Sequence, residues 1–196
     1  MSQPREVRRR PGGRSARVAA AVFDAVDALL VESGPGRFTV TDIARRAGIN
    51  ATSIYRRWGS LEAVILDRES ARLDDLSPLP NTGTLRGDLL AYAHTAADDI
   101  RKPGRLAFLQ ALVGASDLDD DRRMAPLLRR AEQFQDMLNR ARDRGESALD
   151  YTVVVDCILA PIYLRHLTGR GLDAADIEVF VDRALASAGP PAIAPG

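Results

Sequence analysis

The chain has 196 residues, of which 45% are hydrophobic and 28% charged, which is the composition of an ordinary soluble globular protein. The longest apolar run, from Val153 to Leu164, contains Asp156 and Pro161 and falls short of the ~20 residues that a membrane-spanning helix needs. No apolar stretch follows the basic N-terminal residues, so no secretory signal is expected. A single cysteine, Cys157, excludes an internal disulfide framework and favours a cytoplasmic location.

The formal net charge of zero conceals a strong asymmetry along the chain. Residues 1–60 contain eleven arginines and five acidic residues, a balance of +6, whereas residues 61–196 contain sixteen basic and 22 acidic residues, a balance of −6. A neutral chain with one basic end favours a polyanionic partner for that end alone.

The N-terminal part is predicted to be a flexible basic arm, residues 1–13, followed by four helices. Gly34 ends the first helix, Thr39 and Asp42 form a capping box that opens the second, and Asn50 caps the third. Apolar residues at the helical period and these end signals place the helices at 14–33, 39–47, 51–58 and 60–74.

A linker rich in proline and glycine, residues 76–83, separates these helices from five more. The five are predicted at 84–101, 104–115, 119–144, 150–168 and 173–188, and residues 189–196 are predicted to be a disordered tail. No segment alternates as a strand does. The fold class is therefore all-α, with a basic three-helix unit at 14–60 and a larger helical bundle at 61–188.

The segment from Phe38 to Trp58 has the form of a helix-turn-helix: two short helices joined by a glycine turn at Gly48. Ala44 is small where the two helices must approach, and Ile43, Ile49 and Ile54 are placed to pack on the first helix. The third helix presents short side chains and hydrogen-bond donors suited to a major groove: Ala51, Thr52, Ser53, Tyr55, Arg56 and Arg57. The alternative is a helical hairpin with a solvated basic face.

Three stretches of this region resemble the TetR family of regulators: Phe38–Ala44, Ala47–Ile49 and Ser53–Ala63. The resemblance covers about residues 14–72, and its most specific part is the block Ile54–Trp58 followed by Gly59 and Ser60. Further along, Thr82–Leu89 is similar to one branch of the family's ligand-binding domains.

The resemblance implies nine helices, an N-terminal three-helix DNA-binding domain at 14–60, and a homodimer held together by the bundle at 61–188. It also implies that this bundle contains a pocket whose small-molecule ligand weakens DNA binding. A dimer predicts a palindromic operator in double-stranded DNA as the partner. It implies that Tyr55 contacts a phosphate and that Ala51–Ser53 face bases. Leu61 departs from the family, which often has a lysine there, so one phosphate contact is in question. The full predicted DNA-binding set is Arg14, Arg17, Thr39, Thr41, Ala51, Thr52, Ser53, Tyr55, Arg56, Arg57 and Ser60.

The last two helices are predicted to form the dimer interface. The helix 150–168 is apolar nearly all round, and the last helix carries an apolar stripe at the helical period. The predicted interface residues are Ile158, Ile162, Ile177, Phe180, Val181 and Leu185. Burial within one subunit is the alternative.

The ligand is predicted to bind among the helices between Thr84 and Thr168, with ordinary core packing as the alternative for each residue. The candidates are Tyr92, His94, Phe108, Gln110, Phe134, Met137, Asp156, Tyr163 and His166. Asp156 is the one charge in an apolar stretch, and helical spacing places Ala160 and Tyr163 on its face. It either faces the ligand, or pairs with an arginine across the dimer axis, or caps a neighbouring helix.

These patterns predict a ligand-responsive transcriptional regulator, most simply a repressor released from its operator by a small molecule. No nucleophile motif, phosphate loop or metal-ligand spacing is present, so no catalytic residue, metal or cofactor is expected. The competing interpretations are a helical small-molecule-binding or carrier protein and an enzyme of unrecognised type, and neither explains the basic face of the third helix.

Overall fold

The computed structural model describes residues 13–76, 79–115, 120–146 and 149–187. Most of the predicted arm and the whole predicted tail lie outside these residues. The described part is all-α and contains nine helices and no strand. The helices are α1 Gly13–Ser33, α2 Val40–Ala47, α3 Ala51–Trp58, α4 Leu61–Leu76, α5 Leu85–Ile100, α6 Ala107–Gly114, α7 Asp120–Asp143, α8 at 151–167 and α9 Ala174–Ser187.

Local signals set the ends of the helix-turn-helix elements. The backbone N–H of Thr39 donates to Asp42 Oδ2 at 2.9 Å, and the N–H of Asp42 donates to Thr39 Oγ1 at 3.3 Å, which completes a capping box on α2. Gly48 has a φ of +67°, in the left-handed region that glycine adopts without a steric penalty, and ends α2. Asn50 caps α3 by accepting from the N–H of Thr52 at 2.8 Å.

The described helices bury two separate hydrophobic cores. The first joins α1, α2 and α3 to the start of α4 and to α6, with Val22, Ile43 and Val64 fully buried. The second joins α5, α7, α8 and α9 around Leu89, Phe134 and Ile158. The first core therefore continues past residue 60, the predicted end of the DNA-binding domain, and takes in the beginning of α4. None of the described helices combines the length and apolar character needed to cross a bilayer.

The motif Thr82–Leu89 fixes the start of α5. Asp88 is fully buried and accepts from the N–H of Thr82 at 2.5 Å and from Thr82 Oγ1 at 2.8 Å. Gly87 lies so close to Thr82 that a Cβ atom at residue 87 would be 2.3 Å from Thr82 Oγ1. Glu146, after α7, accepts from the N–H of Leu85 at 2.6 Å. These contacts tie the beginning of α5 to the end of α7.

Helix α8 contains a π-helical turn. Its three parts are an α-helical turn, Tyr151–Val154, a π-helical segment, Val155–Leu159, and an α-helical segment, Ala160–Leu167. The N–H of Ala160 bonds to the carbonyl of Val155, five residues earlier. Pro161 has no N–H to donate and its ring crowds the carbonyl four residues before it, so the wider turn accommodates the proline.

Most of the residues predicted for the dimer interface are buried inside one subunit. Ile158, Ile162 and Val181 have no exposed surface, and Ile177 and Phe180 are buried in the second core. A side chain without exposed surface cannot gain contacts from a partner. Leu185 is half-buried against the same core. The apolar stripe of α9 faces α5 and α8.

Candidate functional site

Four of the predicted DNA-contacting side chains of α3 are exposed: Thr52, Tyr55, Arg56 and Arg57. Tyr55 keeps 51% of its surface. Ala51 and Ser53 are half-buried on the same helix, while Arg17 of α1 and Thr41 of α2 are exposed beside it. The side chain of Arg14 lies outside the described residues. The exposed positions offer phenol, hydroxyl and guanidinium groups, which can bind phosphates and base edges.

Three members of the predicted DNA-binding set already have partners within the chain. Arg57 donates to the carbonyl and the Oγ of Ser15, both at 2.9 Å, and so holds the start of α1 against α3. Thr39 belongs to the capping box of α2. Ser60 accepts from the N–H of Ala63 at 3.2 Å at the start of α4. These residues orient the DNA-binding helices.

Buried contacts fix α3 against α1 and α4. Ile54 and Trp58 face the first core, and the indole N–H of Trp58 donates to Asp67 of α4 at 2.8 Å. The ring of Phe23 in α1 lies 6.2 Å from that of Trp58. Half-buried Leu61 packs against the same core, so this position supplies an apolar contact in place of the family's lysine.

Four of the predicted ligand-binding residues come together in the second core: Tyr92, Phe134, Met137 and Tyr163. The rings of Tyr92 and Phe134 meet edge to face with centroids 4.7 Å apart. Tyr151, which the sequence analysis missed, continues the row with its ring 5.0 Å from Phe134.

The other predicted ligand-binding residues lie elsewhere. Phe108 belongs to the first core, His94 is exposed on α5, and Gln110 is exposed beside a small groove next to Pro35. His166 lines a separate groove of about 390 Å³ near the end of α5. These residues do not form one pocket with the aromatic row.

Asp156 is exposed and does not lie beside Tyr163, with which helical spacing had grouped it. It lines an outer groove of about 590 Å³ between α8 and α9, together with Cys157, Ala160, Pro161, Leu164, Phe180 and Arg183. Tyr163 instead interacts electrostatically with residues of α4 and α5. Ala160 lies in the same groove as Asp156, as helical spacing predicts, and the buried face of α8 is the opposite one, with Val154, Ile158 and Ile162.

Arg130 of α7 is buried beside the aromatic row. Its guanidinium carbon lies 5.1 Å from the ring centre of Tyr92 and 5.6 Å from that of Phe134, within the range of cation–π contacts. Burial raises the pKa of the Tyr151 hydroxyl to about 12, and burial also raises the pKa of Tyr163. Both tyrosines therefore remain neutral hydrogen-bond donors at physiological pH.

A buried ionic cluster, which the sequence analysis also missed, connects α4 to the end of α5. It consists of Glu69, Arg72, Asp99 and Arg105. Glu69, 1% exposed, accepts from Arg72 at 2.8 Å and from Arg105 at 3.4 Å, and Arg72 reaches Asp99 at 2.8 Å. Burial disfavours the charged form of Arg72, but Glu69 and Asp99 outweigh this effect and raise its pKa. Glu69 lies four residues after buried Ile65, so its place on the apolar face of α4 was the available sequence signal.

Two family models match the chain. Residues 22–67 match the one described as bacterial regulatory proteins, tetR family, and residues 79–184 match the one described as tetracyclin repressor-like, C-terminal domain. Together with the exposed face of α3, the matches define a DNA-binding transcriptional regulator of the helix-turn-helix class, and they indicate a regulator rather than an enzyme.

Similar proteins and a solved structure support the same class of regulator. The HTH-type transcriptional regulator AqdR of Rhodococcus erythropolis is 30% identical over 173 residues, covering 85% of this chain and 84% of AqdR. The DNA-binding transcriptional repressor TetR of Mycobacteroides abscessus is 30% identical over 180 residues, covering 85% of this chain and 91% of that protein. The crystal structure of the TetR family transcription regulator SCO0332 superimposes with a TM-score of 0.71 at 29% identity, covering 89% of this chain and 100% of that one. The chain belongs to the TetR family.

Proposed function

We propose that this regulator is a homodimeric repressor that binds a palindromic operator in double-stranded DNA, within the cytoplasm, and is released by a small molecule. The observation that carries the proposal is the exposed polar face of α3, with Thr52, Tyr55 and Arg56, held on two buried anchors. In a dimer, two such helices spaced ~34 Å apart read successive major grooves of one face of the duplex.

Fluorescence anisotropy with DNA from upstream of the protein's own gene tests DNA binding. Arg56→Gln removes one cation per subunit, so the slope of log affinity against log salt should become shallower by about 1.8 for the dimer. Arg86→Gln is the matched control, because exposed Arg86 pairs with Asp182 on α9, away from α3. Absence of saturable binding by the wild-type protein, or equal slopes for the two variants, contradicts the proposal.

The outer groove between α8 and α9 is the surface that we assign to the dimer. Leu164, 62% exposed, lies in this groove, and Leu167 and Val179 are exposed on the same two helices. Asp156 and Arg183 line the groove with opposite charges, and neither has an ion-pair partner within the described part of the chain. A two-fold axis through the groove can place Asp156 opposite Arg183 of the partner subunit, and can cover the apolar residues.

Light scattering distinguishes this surface from others. Leu164→Asp should yield monomers, whereas Leu128→Asp, at a leucine that is 56% exposed on α7, should remain a dimer. Asp156→Arg should weaken the dimer, and the double variant with Arg183→Asp should restore it, since the charges are exchanged. A dimer that persists in Leu164→Asp places the interface elsewhere.

The ionic cluster on α4 provides a route by which a ligand can influence DNA binding. Helix α4 starts in the first core and reaches Glu69 and Arg72 beside the second. The turn after α5 also approaches α1, since a Cβ on Gly104 would lie 2.9 Å from Leu30 Cβ. A ligand that binds more tightly to one arrangement of these elements favours that arrangement, and a changed spacing of the two α3 helices no longer fits the operator.

A ligand screen tests the regulatory part of this proposal. Compounds that raise the melting temperature of the protein are added to the DNA complex, and at least one should lower the anisotropy of labelled operator. Stabilising compounds that never displace DNA contradict release by a ligand.

A further inference from the structure

We propose that Thr52 gives this regulator a preference for thymine, because its γ-methyl group contacts the C5-methyl group of a thymine in each half of the operator. This inference rests on the proposed binding of operator DNA and specifies which base the start of α3 recognises. In a helix-turn-helix protein, the N-terminal residues of the second helix are the ones that contact base edges in the major groove. The first turn of α3 consists of Ala51, Thr52 and Ser53.

Thr52 is the exposed residue of this turn. Ala51 is half-buried and packs against the first core, and Ser53 is half-buried as well. The backbone N–H of Thr52 donates to the Oδ1 of Asn50 at 2.8 Å, which fixes the start of the helix, while the Thr52 side chain remains exposed. The side chain of Thr52 is therefore the part of this turn that is most accessible to a base pair.

Two longer polar side chains that could read bases are engaged within the chain. Asparagine can bind adenine in a bidentate manner, but the Oδ1 of Asn50 caps α3. Arginine can bind guanine in a bidentate manner, but Arg57 donates to the carbonyl and the Oγ of Ser15, both at 2.9 Å. Arg56 is exposed one turn after Thr52, so contact of Arg56 with a guanine is the alternative source of base preference.

The methyl group of Thr52 carries a base preference that its hydroxyl does not. A hydroxyl rotates and can donate or accept a hydrogen bond, so it can bind the edge of any base pair. A methyl group gains free energy by leaving water only where it meets another apolar group, and the C5-methyl of thymine is the apolar group on the major-groove edges. An exposed threonine at this position therefore favours thymine over the other bases.

Fluorescence anisotropy with the full chain tests the preference on DNA from upstream of the protein's own gene. The fragment is synthesised unmodified, with uracil in place of thymine, or with 7-deazaguanine in place of guanine. Uracil lacks the C5-methyl group, so this fragment should bind about tenfold more weakly, the effect of losing one methyl contact in each half of the operator. 7-Deazaguanine lacks the N7 acceptor that an arginine uses, and it should weaken binding less than uracil does.

Two substitutions of Thr52 separate the methyl group from the hydroxyl. Thr52→Val keeps a γ-methyl and removes the hydroxyl, so the ratio of the affinities for the unmodified and uracil fragments should be retained. Thr52→Ser keeps the hydroxyl and removes the methyl, so this ratio should fall to about one. Thr95→Ser is the matched control, because it makes the same change at an exposed position of α5 and should leave the ratio unaltered.

Four results overturn the inference. They are equal binding of the unmodified and uracil fragments by the wild-type protein, retention of the ratio by Thr52→Ser, loss of the ratio by Thr52→Val, and a loss with 7-deazaguanine as large as that with uracil. The last result would assign the base preference to Arg56. Each of them leaves binding of the unmodified fragment by the wild-type protein intact, whereas failure to bind that fragment contradicts the proposed function instead.

Discussion

The buried carboxylate of Glu69 gives the most direct test of the link between the two cores. Glu69→Gln retains the shape of the side chain and removes the charge that faces both Arg72 and Arg105. Arg72 keeps Asp99 at 2.8 Å as a partner, whereas Arg105 loses the only ion pair found for it within the described ranges. The variant therefore leaves a mostly buried arginine without a carboxylate.

The expected effect on stability follows from the degree of burial. Removing one partner of a buried ion pair costs about 3–5 kcal/mol, because the remaining charge stays desolvated. Since Asp99 still compensates Arg72, the lower value of about 3 kcal/mol applies here. For a chain of this length, each kcal/mol shifts the melting temperature by about 2–4 °C, so the variant should melt about 6–12 °C below the wild-type protein.

Differential scanning calorimetry at neutral pH measures this shift, and Glu32→Gln is the control. Glu32 pairs with Arg46 at 2.5 Å, but both side chains are largely exposed, so this substitution should leave the melting temperature almost unchanged. The operator affinity of Glu69→Gln should also change, whereas that of the control should not. Equal melting temperatures for Glu69→Gln and Glu32→Gln would show that the ion pairs of Glu69 are not desolvated.

Three further substitutions test the local arguments. Gly48→Ala meets no neighbouring atom, so its left-handed φ alone should lower the free energy of unfolding by about 1–2 kcal/mol, measured by urea titration. Gly87→Ala should cost more than Gly48→Ala in the same titration, because its Cβ would collide with Thr82 Oγ1 at 2.3 Å. Burial acts to raise the pKa of Glu146, but hydrogen bonds from the Leu85 N–H and Arg144 outweigh it and the pKa is lowered below 4.5. The ionised carboxylate of Glu146 stabilises the fold above pH 4.5, and this stabilisation is lost as the pH falls through the lowered pKa. Between about pH 5 and pH 3, the melting temperature of Glu146→Gln should therefore fall less than that of the wild-type protein.

The helices of the DNA-binding part could be predicted closely because their ends are determined by nearby residues. The capping box at Thr39, the glycine at residue 48 and the Asn50 cap act over three or four positions, and the structure forms all three. The exposed face of α3 was predicted for the same reason, since helical periodicity and two buried anchors determine which side chains point outward.

The features that the sequence could not predict depend on contacts between distant parts of the chain. An apolar stripe such as that of α9 must be covered, but periodicity does not say whether α5 of the same chain or another subunit covers it. The ionic cluster likewise joins Glu69 and Asp99, which are thirty residues apart, and only the packing of α4 on α5 brings them together. The direction of Asp156 could not be inferred because a helix that is apolar nearly all round does not show which of its faces is buried.

The π turn at Val155–Leu159 also gives α8 a position where sequence length can change with limited damage. Deleting one residue there would restore α-helical hydrogen bonding and shorten the helix by only ~1.5 Å, because the wide turn already absorbs one extra residue. The side chains on either side of the turn would keep their directions towards the outer groove and the aromatic row. A single codon loss in this segment should therefore preserve both surfaces, whereas the same loss elsewhere in α8 would rotate one half of the helix by about 100° and exchange the side chains at both.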